Sequence, residues 1–322
     1  MINTYQCKIG KLSAPFELKL GVETLLVYEY FNNKILQKSE ALPGIFRNTI
    51  NLLDKLDHHN TEHNFYEFSY DIKKNDFCRN VLLAFSGSLN SMHQLFNLKE
   101  LGYNITLFYL NYNTLLSSKR LIQVKILSEN LNLPLVICDF ELDNSLYVQN
   151  YFEKLLMYSL MLDCCQDRNI YYISSGDSLL NKRNTKTLSN QKRVTETFFN
   201  ELYLKFNFDF VTSPNINKIN KLMKLKELNL DQAFTDCINT DKFLKINRNK
   251  LVTRLHLTLP NNNCGICSKC AFYNLLRHYY FNEILPQEYL DYCWKTVITE
   301  NTHGLFDISL SLTTRINNLA NC

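Results

Sequence analysis

Two stretches of this 322-residue chain gather residue types that do chemistry at short spacing. The first is Ser86-Gly87-Ser88-Leu89-Asn90-Ser91. Such small, hydroxyl-bearing residues suit an anion cradle: Gly87 lets the backbone approach closely, and the serines add hydroxyl donors. An ordinary strand-to-helix turn uses the same letters, so the loop alone leaves both readings open. The second stretch is Cys264-Gly265-Ile266-Cys267-Ser268-Lys269-Cys270. Three thiols at this spacing can converge on one tetrahedral ion, with Gly265 easing the tight backbone. A structural zinc site takes a fourth ligand, and Cys237, in Thr235-Asp236-Cys237-Ile238, is the candidate. Cysteines also serve as small buried hydrophobes. Three of them within seven residues, beside the polar Asn261 to Asn263, favour metal; Cys164 and Cys165 read as core.

The elements around the first stretch have the layout that an anion site needs. Val81 to Phe85 is a β-prone apolar run. In Met92 to Leu101, Met92, Leu95, Phe96 and Leu98 share a helical face, and Gly102 suits the C′ position. A strand, a small-residue loop and a helix N-terminus point unpaired N–H groups outward and favour negative charge through the helix dipole. Downstream, strands are expected at 105–110, 134–140, 170–174 and 208–212. Helices are expected at 118–131, 147–167, 194–206, 218–228 and 289–297. This βαβ alternation predicts an α/β fold with a parallel sheet of approximately five strands and helices on both faces. Ligands of such sheets bind beyond the carboxyl ends of the strands.

Residues 1 to 78 read as an N-terminal accessory segment, β-rich, with strands at Phe16 to Leu20 and Leu25 to Tyr30 and a short helix at Arg47 to Leu56. His59 and His63 would share a helical face as a metal pair, but Asp57 to His63 reads instead as a solvated loop. The polar run Asp71 to Asp76 marks a boundary. The expected organisation is an accessory segment over 1–78, a nucleotide-binding α/β domain over 79–235, and a zinc-binding and C-terminal helical region over 236–322.

Composition narrows the class. Hydrophobic residues make up 46% and charged ones 20%, which excludes a mainly disordered chain. A net charge of +4 does not by itself point to nucleic acid. No apolar run approaches the ~18 residues of a membrane span, and the start, MINTYQCKIGK, lacks the apolar core of a secretory signal. Eleven cysteines without such a signal point to a reducing, cytoplasmic setting.

The Ser86 to Ser91 loop resembles the SGGxDS signature of the PP-loop ATP pyrophosphatases, which split ATP between the α and β phosphates and adenylate a carbonyl or carboxylate oxygen. Ser88 stands at the second glycine of the signature and Asn90 at its aspartate. Together with the late Cys-x2-Cys-x2-Cys, the chain resembles the 7-cyano-7-deazaguanine synthases over roughly residues 80 to 280. Asn111-Tyr112 lies where that family has a tyrosine-containing loop, without its Gly-Gln. Ile173 to Asp177 lies at its glycine-containing loop. Arg193 and Glu196 match an arginine and a glutamate near a phenylalanine, here Phe198 and Phe199. Ser213-Pro214 begins a similar stretch, and Thr235-Asp236-Cys237 matches the family's Thr-x-Ser-Cys segment. Between Cys237 and Cys264 lie 26 residues, more than in the family, which implies an insertion around 241–259.

The resemblance implies an ATP-dependent ligase-type enzyme. It would adenylate 7-carboxy-7-deazaguanine or an analogue, take ammonia, and belong to a nucleoside-modification pathway such as queuosine synthesis. ATP, Mg²⁺ and Zn²⁺ are the implied cofactors. Ser86, Gly87, Ser88, Asn90 and Ser91 would hold the nucleotide, and Arg193, with Lys182 or Arg183, would offset developing charge. Asp177 would stand in as a Mg²⁺ ligand for the missing carboxylate. Cys237, Cys264, Cys267 and Cys270 would bind the zinc, and a homodimer is implied. Two other outcomes fit the altered loop. One is a divergent member in an antiphage defence system, with another acceptor and a protein partner held through the N-terminal segment. The other is a degenerate nucleotide-binding protein. A tRNA-thiolating PP-loop enzyme would want reactive cysteines in its cleft, whereas these read as metal ligands.

Overall fold

The structure is a computed structural model. It describes residues 2–7, 10–33, 41–56, 63–67, 79–112, 115–142, 150–168, 170–176, 190–206, 209–211, 213–214, 216, 218–230, 253–257 and 264–299. Two compact units divide the chain. The first holds residues 1–86 and 90–216, the second 87–89 and 217–322.

The first unit is built on a seven-stranded sheet. Its strands are β1 (Asn3–Cys7), β2 (Gly10–Ala14), β5 (Asn80–Ala84), β6 (Asn104–Tyr112), β7 (Leu135–Leu142), β8 (Tyr172–Ser175) and β9 (Asp209–Val211). A separate pair, β3 (Leu42–Pro43) and β4 (Phe65–Tyr66), runs parallel. The order across the large sheet is β1-β2-β7-β6-β5-β8-β9. From β7 to β9 all neighbours are parallel, whereas β2 joins β7, and β1 joins β2, antiparallel. The sheet therefore has seven strands where about five were expected. The two extra strands are an N-terminal hairpin that hydrogen-bonds along the β7 edge, so that edge is not left open to solvent.

The helices of this unit are α1 (Leu20–Asn33), α2 (Arg47–Leu56), α3 (Leu89–Glu100), α4 (Leu115–Leu131), α5 (Asn150–Arg168) and α6 (Asn190–Phe206). Leu12, Leu82, Phe108, Leu110, Val136, Cys138, Phe140 and Ile173 face one core with Leu25, Val27, Leu155, Tyr158, Phe198 and Leu202 of α1, α5 and α6. The expected strand over Leu25 to Tyr30 is thus part of a helix. Leu20, Thr24, Val27 and Tyr28 bury one face, but Val22 and Leu26 on the less buried side are apolar too, so the sequence shows little amphipathic period. From β5 the chain winds through α3 and α4 to β6 and β7, then returns through α5 to β8 on the other side of β5. That reversal is a topological switch point, the place where open α/β sheets bind ligands.

The second unit contains α7 (Lys218–Glu227), α8 (Ser268–Phe281) and α9 (Gln287–Thr299). Helices α8 and α9 pack as an antiparallel pair across a short turn, burying Phe272, Leu275, Leu276, Tyr289, Leu290 and Val297. Among the described residues no helix is long and apolar enough to cross a membrane.

Candidate functional site

The chain leaves β5 at Ala84 and enters α3 at Leu89, three residues before the expected start at Met92. Gly87 sits between them at a φ of 68°, in the left-handed region that glycine adopts at no steric cost. Ser86, Ser88 and Asn90 are half-buried and Ser91 is buried. The loop thus runs into a helix N-terminus, where the helix dipole favours negative charge.

The loop after β8 lies against this helix start. A Cβ built on Gly176 would stand 2.5 Å from the carbonyl carbon of Asn90 and 2.5 Å from the nitrogen of Ser91. Only a hydrogen fits there. Two strand-end loops, one on each side of the switch point, thus meet backbone to backbone. Buried side chains tie α3 and α5 to the strand ends beside these loops. Gln94 of α3 donates through Nε2 to Ser174 Oγ at 2.8 Å and to the Val211 carbonyl at 3.3 Å. The Tyr158 hydroxyl donates to Ser175 Oγ at 3.0 Å from the opposite face.

The other expected site residues are placed unevenly. Arg193 is exposed in the first turn of α6, one turn from half-buried Glu196. Phe198 and Phe199 point into the core, where Phe198 stacks on Phe46 at 4.6 Å between ring centroids. Asp177, Lys182, Arg183 and Cys237 lie outside the described residues.

Asn111 and Tyr112 end β6 in a tied network. Asn111 Nδ2 donates to Asp139 at 2.7 Å, and Ser117 Oγ donates to Asn111 Oδ1 at 3.0 Å while accepting from the Tyr112 N–H. Burial holds the Tyr112 hydroxyl well above its usual range. It also raises Glu153, against the pull of Arg120 and Lys154. Beyond Asn111 a groove of about 440 Å³ opens over the N-terminal hairpin and β7, with Lys11, Ser13, Asn111, Asp139 and Glu141 among its walls. Strand register brings these residues together: Asn111 pairs with Asp139, Asp139 with Ser13, and Glu141 with Lys11. No motif marks the groove, because it is assembled from strands far apart in sequence.

The thiols of Cys264, Cys267 and Cys270 all lie within 4.8 Å of one another. The Cys264 and Cys270 sulfurs are 3.7 Å apart. Two thiolates on one tetrahedral zinc, each about 2.3 Å from it, would stand roughly 3.8 Å apart, so the spacing fits the metal. Cys264 accepts from the Cys267 N–H at 3.3 Å, and Cys267 from the Cys270 N–H at 3.5 Å. Cys267 is also the N-cap of α8, where the helix dipole favours a thiolate. The donor set, soft and able to carry negative charge, can hold a metal such as zinc.

His63 departs from the solvated reading of its loop. Its Nε2 lies 2.6 Å from Asp54 Oδ2 of α2, with both side chains 7% exposed. His59 is outside the described residues.

No family model and no curated protein matches the chain. Among solved structures, one described as a predicted subunit of tRNA methyltransferase from Methanocaldococcus jannaschii is similar over 54% of this chain and 87% of that one. Its sequence identity is 17% and its TM-score 0.31.

Proposed function

We propose that this chain is a PP-loop-type, ATP-dependent ligase that activates a carboxylate by adenylation, on the pattern of the 7-cyano-7-deazaguanine synthases. The observation that carries the reading is the contact of Gly176 with the backbone of Asn90 and Ser91. It brings two strand-end loops together at the switch point, on donors suited to phosphate. In this reading Ser86, Gly87, Ser88 and Ser91 cradle the phosphates, and the fixed N–H groups offset charge as pyrophosphate leaves. Arg193 supplies a further cation, and Asp177 a carboxylate. Bound Mg²⁺ would neutralise the departing phosphates. Cys237 completes the zinc site, which serves the fold. The substrate is a deazapurine carboxylate or analogue, with ammonia as the nitrogen donor.

Incubation with ATP, Mg²⁺, ammonium and 7-carboxy-7-deazaguanine, followed by product analysis, tests this reading. AMP, pyrophosphate and nitrile together support it in full. AMP without nitrile moves the acceptor elsewhere, as in the antiphage alternative. No AMP from folded protein overturns the catalytic reading.

One feature favours a degenerate, nucleotide-binding protein instead. Asn90 offers an amide where a carboxylate would bind a hard cation. If Asn90→Asp creates ATP cleavage where the natural chain has none, the natural site is degenerate. If activity is present before and little changed after, the amide is tolerated.

A further inference from the structure

Helix α9 holds the cysteine turn by two hydroxyls. Tyr289, in the first turn of α9, is fully buried. Its hydroxyl donates to the Gly265 carbonyl at 2.6 Å and accepts from Asn274 Nδ2 of α8 at 2.7 Å. Tyr292, one turn on, donates to the Ile266 carbonyl at 2.9 Å. The two rings lie nearly parallel, 6.3 Å apart at 11°. The carbonyls they grip belong to both residues between Cys264 and Cys267. Gly265 there has a φ of 78°, one of several conformations open to a glycine, so its surroundings select it.

The second of these bonds acts on the metal ligands. The Ile266 carbonyl and the Cys267 N–H belong to one peptide plane, and in a trans peptide they point in opposite directions. Tyr292 takes the carbonyl, so the N–H is turned onto the Cys264 sulfur, to which it donates at 3.3 Å. An N–H bond to sulfur stabilises the thiolate that a metal requires. Tyr289 fixes the preceding plane in the same way.

We propose that Tyr292 and Tyr289 are positioning residues of the metal centre, and that through them metal loading and the docking of α9 form one coupled equilibrium. Metal holds the turn in the shape the tyrosines grip, and the tyrosines hold the turn in the shape the metal needs. Coupling of this kind is reciprocal. The proposal rests on the reading of the three thiols as a metal site.

Zinc content is measured first on the purified full chain. Affinity then follows from chelator competition, and ligand-field and thiolate charge-transfer bands from Co²⁺ substitution, in the natural chain, Tyr292→Phe, Tyr289→Phe and Tyr279→Phe. Tyr279 accepts from Trp294 across the same two helices at 3.3 Å, and so controls for packing alone. Hydrogen exchange over 287–299 is compared with and without zinc. The expected result is a 10- to 100-fold loss of affinity and shifted Co²⁺ bands for Tyr292→Phe and Tyr289→Phe only, the usual scale for a group orienting a ligand. Exchange in α9 should rise when zinc is removed. A natural chain without zinc overturns the metal reading and the coupling with it. Zinc in the natural chain, with the Tyr292 and Tyr289 variants unchanged or with Tyr279→Phe equally weakened, overturns the coupling alone. Zinc-independent exchange in α9 does the same.

Discussion

Gly176 has no room for a side chain. A methyl group there would lie 2.5 Å from backbone atoms of Asn90 and Ser91, and backbone cannot swing aside as a long side chain can. Gly176→Ala must push the loop after β8 away from the start of α3, at a cost of about 1 to 3 kcal/mol for overpacking. If the two loops share a nucleotide, the shift also opens the phosphate cradle. The expected outcome is a modest fall in the urea midpoint with a much larger fall in ATP affinity by calorimetry. Equal affinity in variant and natural chain would separate Gly176 from nucleotide binding. The identity of this glycine was visible in ISSGD, but its role was not. A glycine in a strand-end loop signals some close approach without naming what approaches.

At the scale of elements, helix α1 shows why Leu25 to Tyr30 reads as a strand in sequence yet folds as a helix. Its sequence offers no Ser, Thr, Asp or Asn at the N-terminus, the usual local mark of a helix start. The cap comes from α5 instead. The Asp163 carboxylate accepts from the N–H groups of Lys19, Leu20 and Gly21 at 3.0, 2.9 and 2.9 Å. Helix α2 is capped the same way, by Glu201 of α6 accepting from the N–H groups of Asn48 and Thr49. A cap more than a hundred residues away leaves no trace beside the helix it starts. In contrast, Arg47 to Leu56 was legible because its apolar residues keep helical spacing. Asp163→Ala would leave three N–H groups without their acceptor, next to Thr24 and Leu160 in the core. Losing this charged cap should cost about 2 to 4 kcal/mol, read as a lower urea midpoint. A loss under about 0.5 kcal/mol would show that α1 is held by packing alone.

For the whole molecule, the alternation of strands and helices after residue 80 was readable because short, β-prone apolar runs alternate with longer helical segments. The two N-terminal strands were not, because Asn3–Cys7 and Gly10–Ala14 are short and partly polar, and they join the sheet by pairing that no local pattern marks: β1 on β2, and β2 on β7. The cysteine site was legible for the opposite reason: its spacing is local, and so is its geometry. The core of the first unit has a further consequence that spans the fold. Cys138 of β7 and Cys164 and Cys165 of α5 lie in its buried cluster. Burial pushes the Cys164 thiol up to about 12 and holds those of Cys138 and Cys165 well above their ordinary range. In the unfolded chain these thiols ionise near the usual ~8.5. The folded state therefore keeps its protons to higher pH, and deprotonation favours unfolding. Their contribution to stability is fully present below about pH 8.5 and falls as pH rises, continuing for Cys164 to about 12. Each such thiol removes about 1.4 kcal/mol per pH unit across that window. Urea midpoints from pH 8 to 10 should fall steadily in the natural chain. They should fall less steeply in Cys164→Ala, although the variant starts from a lower midpoint because of its cavity. Matching slopes in the two proteins would show that these thiols already reach water in the folded state.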